Sequence, residues 1–164
     1  RARGKRGVTR NGQAFDWITR SCKSVPFLLT LLRNTLTMPM KFLYAGARHD
    51  VLLYVGPSGR CQVEEYLGEL DDVSLRQIDA IITRAADNGP IFRDECPCRR
   101  IQGESFFEFK ARRGQRVFWF QHARAIVLFY GFTKRQQRTP AREIANGRRR
   151  FIEASAELGT GLRE

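Results

Sequence analysis

Residues 103–144 carry three apolar and aromatic runs separated by short polar links. They read Ser105-Phe-Phe-Glu-Phe-Lys110, Arg116-Val-Phe-Trp-Phe-Gln121 and Ala125-Ile-Val-Leu-Phe-Tyr-Gly-Phe132. Runs of this length, rich in aromatic and β-branched residues and closed by turns, are the pattern of an antiparallel meander. Side chains alternate along a strand, so Phe107 and Phe109 fall on one face and Glu108 and Lys110 on the other. One face therefore asks for a core, and the opposite face is expected to be open and charged. The third run passes directly into a cationic segment, Lys134, Arg135 and Arg138, and then into a helix that Thr139-Pro140 can start.

The chain has 164 residues and a formal net charge of +12. That length suits one domain able to bury a core without metal or disulfide support. The charge is unevenly spread. Residues 50–95 hold four Lys/Arg against ten acids, whereas residues 96–150 hold fourteen Lys/Arg against three acids. A folded region polarised in this way points to a polyanionic partner for its basic half, most often nucleic acid. A merely solvated basic surface is the plainer alternative. The four cysteines are Cys22, Cys61, Cys96 and Cys98. Cys96-Pro-Cys98 is one residue too short for a zinc knuckle and lacks a second pair, so reduced thiols, no metal and a cytoplasmic location are expected.

Residues 1–39 differ in character from the rest. They begin Arg-Ala-Arg-Gly-Lys-Arg-Gly and contain one apolar run, Val25-Pro-Phe-Leu-Leu-Thr-Leu-Leu32, too short to span a membrane. The expectation is a disordered or non-native extension over 1–39, a folded domain over 40–158 starting near Met40, and a frayed tail over 159–164.

Within the domain, Asp50-Val-Leu-Leu-Tyr-Val55 reads as a strand closed by Gly56-Pro-Ser-Gly59. Val63, Tyr66, Leu67 and Leu70 then recur at helical spacing. A second helix is expected to open at Ser74 with Gln77 as its capping-box partner. Its apolar stripe would be Leu75, Ile78, Ile81, Ile82 and Ala85, and Asn88-Gly-Pro90 ends it. The acids of both helices, Asp79 among them, are expected to face solvent. Cys98-Arg-Arg100 offers a short further strand. The final helix, 140–156, takes Pro140 in its first turn and buries Ile144, Phe151 and Ile152. The expected fold is α+β, a small antiparallel sheet of about four strands with a helical hairpin on one face and a C-terminal helix.

This order resembles the RelE/HigB superfamily of toxins from bacterial toxin–antitoxin modules, its phage-derived HigB-like branch above all. Four segments carry the resemblance: Val63-Glu-Glu-Tyr-Leu67, Phe107-Glu-Phe-Lys110, Arg116-Val-Phe-Trp-Phe120 and the long Leu128-Phe-Tyr-Gly-Phe-Thr-Lys-Arg-Gln-Gln-Arg-Thr-Pro-Ala-Arg-Glu-Ile144. It covers roughly residues 50–156 and none of 1–39. The resemblance implies a cofactor-free endoribonuclease that cuts mRNA in the ribosomal A site and is held inactive by a cognate antitoxin, often a helix-turn-helix protein.

Such cleavage uses the neighbouring 2′-hydroxyl as nucleophile. It needs a base, positive charge at the phosphorane and an acid at the leaving oxygen. The resemblance assigns Lys110 as a base or catalytic cation, Arg116 as the phosphate-stabilising cation, and Lys134 and Arg135 as a second cationic group. Glu108 is either a base or the partner of Arg116. Arg99, Arg100, Arg112, Arg113 and Arg138 read as RNA-backbone contacts. Ala141 and Arg142 stand where some relatives carry Tyr or His, which leaves the general acid unassigned. Two other functions fit the same residues: a ParE-like gyrase inhibitor, and a nucleic-acid-binding module without catalysis.

Overall fold

The computed structural model describes residues 39–91, 97–135 and 139–159. The expectations for 1–38 and 160–164, and for Arg138, lie outside the described residues. The elements run β1 (Met40–Ala45), β2 (Asp50–Tyr54), α1 (Gln62–Gly68), α2 (Asp72–Asn88), β3 (Cys98–Arg100), β4 (Phe107–Lys110), β5 (Gln115–His122), β6 (Ala125–Thr133) and α3 (Ala141–Glu157). The architecture is α+β, but the sheet corrects the expectation of about four antiparallel strands. It has six strands in the order β1-β2-β6-β5-β4-β3, and β2 runs parallel to β6.

The physical reason for each difference is local. β1 is hidden in the sequence because its register shifts between Phe42 and Tyr44, which breaks the period-two alternation that marks a strand. The parallel pairing of Asp50–Leu53 with Ala125–Leu128 joins segments separated by both helices and the first strands of the meander. No local pattern encodes such a crossover.

Both sides of the sheet carry helices, and the charged face expected to be open forms only in part: Glu108 is buried, whereas Lys110 is half-buried and Arg99 exposed. On one side, Gln115 donates from Nε2 to Ser74 Oγ of α2 at 2.7 Å, and Tyr66 of α1 lies over Gly131. A Cβ at Gly131 would stand 2.2 Å from that ring, so a side chain there would push α1 off the strand. Trp119 shares this side with Phe107 and Phe109, its ring 4.7 and 4.8 Å from theirs. On the other side α3 covers Phe106, Phe118, Phe120 and Phe129, against which Phe151 packs. Gly147 permits the close approach, since a Cβ there would come within 2.5 Å of Phe118.

Three smaller expectations are also corrected. α2 is capped by Asp71, whose carboxylate accepts from the backbone N–H groups of Val73 and Ser74. An ionised carboxylate at the N-terminus outcompetes a hydroxyl there, because it also complements the helix dipole. Ser74 is instead buried, donating to Asp71 and accepting from Gln115. Asp79 is half-buried, not solvent-facing, and burial raises its carboxyl above its ordinary value. Ile152 is exposed, because the buried positions of α3 are Gly147, Ala154 and Ser155. No helix among the described residues is long and apolar enough to cross a membrane.

Candidate active site

Strand register brings the cationic residues together. Lys110 pairs with Arg116 across β4 and β5, Glu108 lies opposite Phe118, and Arg99 of β3 lies opposite Glu108. Alternation therefore puts Arg99, Glu108, Lys110 and Arg116 on the same side of the sheet, the side that α3 covers further along. Lys134 follows the last pairing of β6, Thr133 with Gln115. Its backbone N–H donates to the Gly114 carbonyl at 2.8 Å, which ties the end of β6 to the β4–β5 turn. Gly114 has φ +93°, and a Cβ there would stand 2.4 Å from the Lys134 carbonyl oxygen. Only glycine suits both the left-handed backbone and that approach.

At the centre of the cluster, Arg116 Nε sits 2.8 Å from Glu108 Oε1. Arg116 Nη1 donates to the carbonyls of Ala111 and Gln115 at 2.9 and 2.8 Å. These three oxygens fix the guanidinium plane, and no acceptor among the described residues meets Nη2. Glu108 is 1% exposed, and its Oε1 lies off the line of any N–H, so the contact is an ion pair more than an aligned hydrogen bond. Burial raises the Glu108 carboxyl, opposed first by Arg116 and then by Arg99, Lys134 and Lys110. Burial lowers Arg116, with Glu108 pulling the other way, but a guanidinium stays charged near neutral pH. Burial and then the neighbouring Arg116 lower the Lys134 ammonium. One buried carboxylate thus sits among four cations, and the excess positive charge is directed at whatever approaches from solvent.

The remaining predicted residues take other places. Arg100 pairs with Phe107, so it lies on the opposite face of β3 from Arg99. Arg113 approaches Asp71 at 3.6 Å, an exposed contact of little energetic weight. Arg135 follows Lys134 and is exposed. Arg112 helps line a cleft of about 580 Å³ at this end of the sheet, between α2 and the β4–β5 turn, and Lys110 and Arg116 line it too. Neither histidine joins the cluster: His122 ends β5, and His49 contacts the Arg124 carbonyl at 3.2 Å.

Sequence reasoning missed Gly114 and Tyr66. Glycine after Arg112-Arg113 signals a turn, but nothing local says that the turn must receive the end of β6. Tyr66 reaches Thr133 Oγ1 with its hydroxyl at 3.1 Å, and burial raises its pKa, with Thr133 and Arg116 opposing. Its helical period marks it only as core.

A family model described as "Phage derived protein Gp49-like (DUF891)" matches residues 65–152, a span that includes the whole cluster. No curated protein matches the chain.

Proposed function

The chain belongs to the phage-derived Gp49-like family, and on that footing we propose that it is the toxin of a toxin–antitoxin module. In this reading it is an endoribonuclease of RelE/HigB type that cuts mRNA on the ribosome in the cytoplasm. A helix-turn-helix antitoxin is the proposed partner that silences it. The observation that carries the reading is the convergence of Arg99, Lys110, Arg116 and Lys134 around the buried Glu108.

In the proposed reaction the ribose 2′-oxygen attacks the adjacent phosphorus and the bond to the 5′-oxygen breaks. The products are a 2′,3′-cyclic phosphate and a 5′-hydroxyl. Nucleophile and leaving group must lie on opposite sides of phosphorus, so base and acid must flank the phosphate. Arg116 lies on β5, between β4 with Lys110 and β6, whose end Lys134 follows, and adjacent strands are about 4.8 Å apart. Arg116 Nη2 would hold a non-bridging oxygen and stabilise the charge that grows there. Lys134, lowered by burial and by Arg116, is suited to take the 2′-hydroxyl proton. Lys110, on the far side, is placed to give a proton to the 5′-oxygen. Glu108 is too buried to touch substrate and acts as a positioning residue that orients Arg116. Arg99 lies where it can meet a flanking phosphate.

The test is a translation reaction with 5′-end mapping of the mRNA, run with the wild type and with Arg116→Ala. The expected result is ribosome-dependent cuts by the wild type and none by the folded variant. Arrested supercoiling without cuts would instead mark a gyrase inhibitor. RNA binding without either effect would mark a non-catalytic module.

A further inference from the structure

α2 presents two stripes. Ser74, Ile78, Ile82 and Ala85 are buried against the sheet, whereas Gln77, Ile81 and Arg84, at i, i+4 and i+7, form a neighbouring row. That second row is only partly used by the core: Ile81 and Gln77 are half-buried and Arg84 is exposed. It forms one wall of the cleft that opens beside Lys110, Arg112 and Arg116. The other wall is Pro97 with the β4–β5 turn.

The chemistry of this lining is specific. Among the described residues of the lining four are cations, Arg84, Lys110, Arg112 and Arg116, and none is an acid. Ala80, Ile81, Pro97 and Ala111 supply an apolar surface between them. Gln77 lines the cleft with its amide, whose oxygen is buried and has no hydrogen-bond donor among the described residues. An anion alone would not call for the apolar wall, and an apolar ligand would not call for the cations. A phosphate attached to a flat, partly apolar ring with polar edges satisfies both. The cleft is also ample for such a ligand, since small-molecule pockets run from about 300 to 1,000 Å³.

We propose that this cleft binds the nucleotide next to the scissile phosphate, and that Gln77 and Arg84 help determine which base is accepted there. Arg84 and Arg112 hold the phosphate, Ile81 and Pro97 lie against the base, and the Gln77 amide meets a polar edge of it. This rests on the ribonuclease reading for its place in a reaction, but the binding itself does not. Because Arg116 and Lys110 line both cleft and cluster, a nucleotide seated here leaves its neighbouring phosphate beside the Arg116 guanidinium.

The experiment has two arms, both with the full chain. In the first, amide NMR follows titration with each of the four nucleoside 3′-monophosphates and with inorganic phosphate. Shifts at Gln77, Ile81, Arg84 and Ala111, saturating at least about threefold more tightly for one nucleotide than for phosphate, support the proposal. Arg84→Ala should then weaken that nucleotide about tenfold, as expected for a lost charged contact near 1.4 kcal/mol, with the rest of the spectrum unchanged. In the second arm, cut positions on one mRNA are mapped for wild type and Gln77→Leu, and the base preference beside the cut should flatten while cutting continues. Absence of nucleotide-dependent shifts, equal response to inorganic phosphate, or an unaltered cut pattern would overturn the cleft assignment and leave the ribonuclease reading standing. Nucleotide binding in the cleft without any RNA cleavage would sink the ribonuclease reading and leave the cleft assignment standing.

Discussion

Phe118 and Arg116 stand two residues apart on one strand and face the same side of the sheet, yet their surroundings are opposites. Phe118 is fully buried beneath α3, in ring contact with Phe106, Phe129, Tyr130 and Phe132. Arg116 is buried nearly as well, its side chain 13% exposed, but it is held by a carboxylate and two backbone carbonyls. The aromatic end gains free energy from every ring removed from water. The charged end must offset the desolvation of two ions, and the shifts of Glu108 upward and Arg116 downward show burial outweighing their attraction. The contrast teaches that burial favours the aromatic end under α3, whereas at the Glu108–Arg116 end burial opposes the charges it encloses.

Four changes sharpen or break that contrast. Phe118→Ala should cost about 3–5 kcal/mol by removing a ring from the aromatic end, measured by urea denaturation. Any loss of the proposed mRNA cleavage should then track the folded fraction alone. Lys134→Arg should leave the urea midpoint unchanged and reduce cleavage by about 10²–10³, because a guanidinium has no neutral form to act as base. In the wild type, the lowered Lys134 means that its neutral form appears at a lower pH than for an ordinary lysine. The rate should therefore rise with pH and level off below the usual lysine range, and a rate–pH profile checks the sign.

Gly114→Ala should cost about 1–3 kcal/mol, since it places a side chain at positive φ and against the Lys134 carbonyl. It should reduce cleavage by more than the stability loss explains, because it displaces Lys134 from Arg116. Asp79→Asn is the smallest effect, below about 1 kcal/mol. Burial raises the Asp79 carboxyl, so on increasing pH the unfolded chain ionises before the native one. The native state loses stability from the unfolded pKa up through the folded one. The asparagine variant should melt above the wild type at pH 7, and the advantage should vanish by about pH 3, below the ordinary Asp value.

The legible parts of the fold were those with a short-range pattern. The runs that became β4, β5 and β6 alternate or are continuously apolar, and Val63, Tyr66 and Leu67 are buried at the spacing that marked α1. Strand alternation also set Glu108 and Lys110 on one face. What alternation could not supply was the burial of Glu108 on that face, which tertiary packing creates and no strand period encodes. The period that fits Phe151 also points Ile152 at the core, but a helix stripe is only as wide as the surface it meets, and Ile152 is exposed. Arg84 and Gln77 enter the cleft from a helix more than twenty residues from the β4–β5 turn, a juxtaposition made by packing alone. β1 escaped because one bulge disguised its period.

The charged end of the sheet is expected to be dispensable for folding and necessary for the proposed chemistry. The direct test replaces the pair with apolar residues of similar size, Glu108→Leu together with Arg116→Met, and measures urea stability and mRNA cleavage on the same preparation. Replacing a buried ion pair in this way should leave stability within about 2 kcal/mol of the wild type or raise it, while cleavage falls to background. A double variant that unfolds would show the pair to be structural, and one that folds and still cuts would remove Arg116 from the reaction.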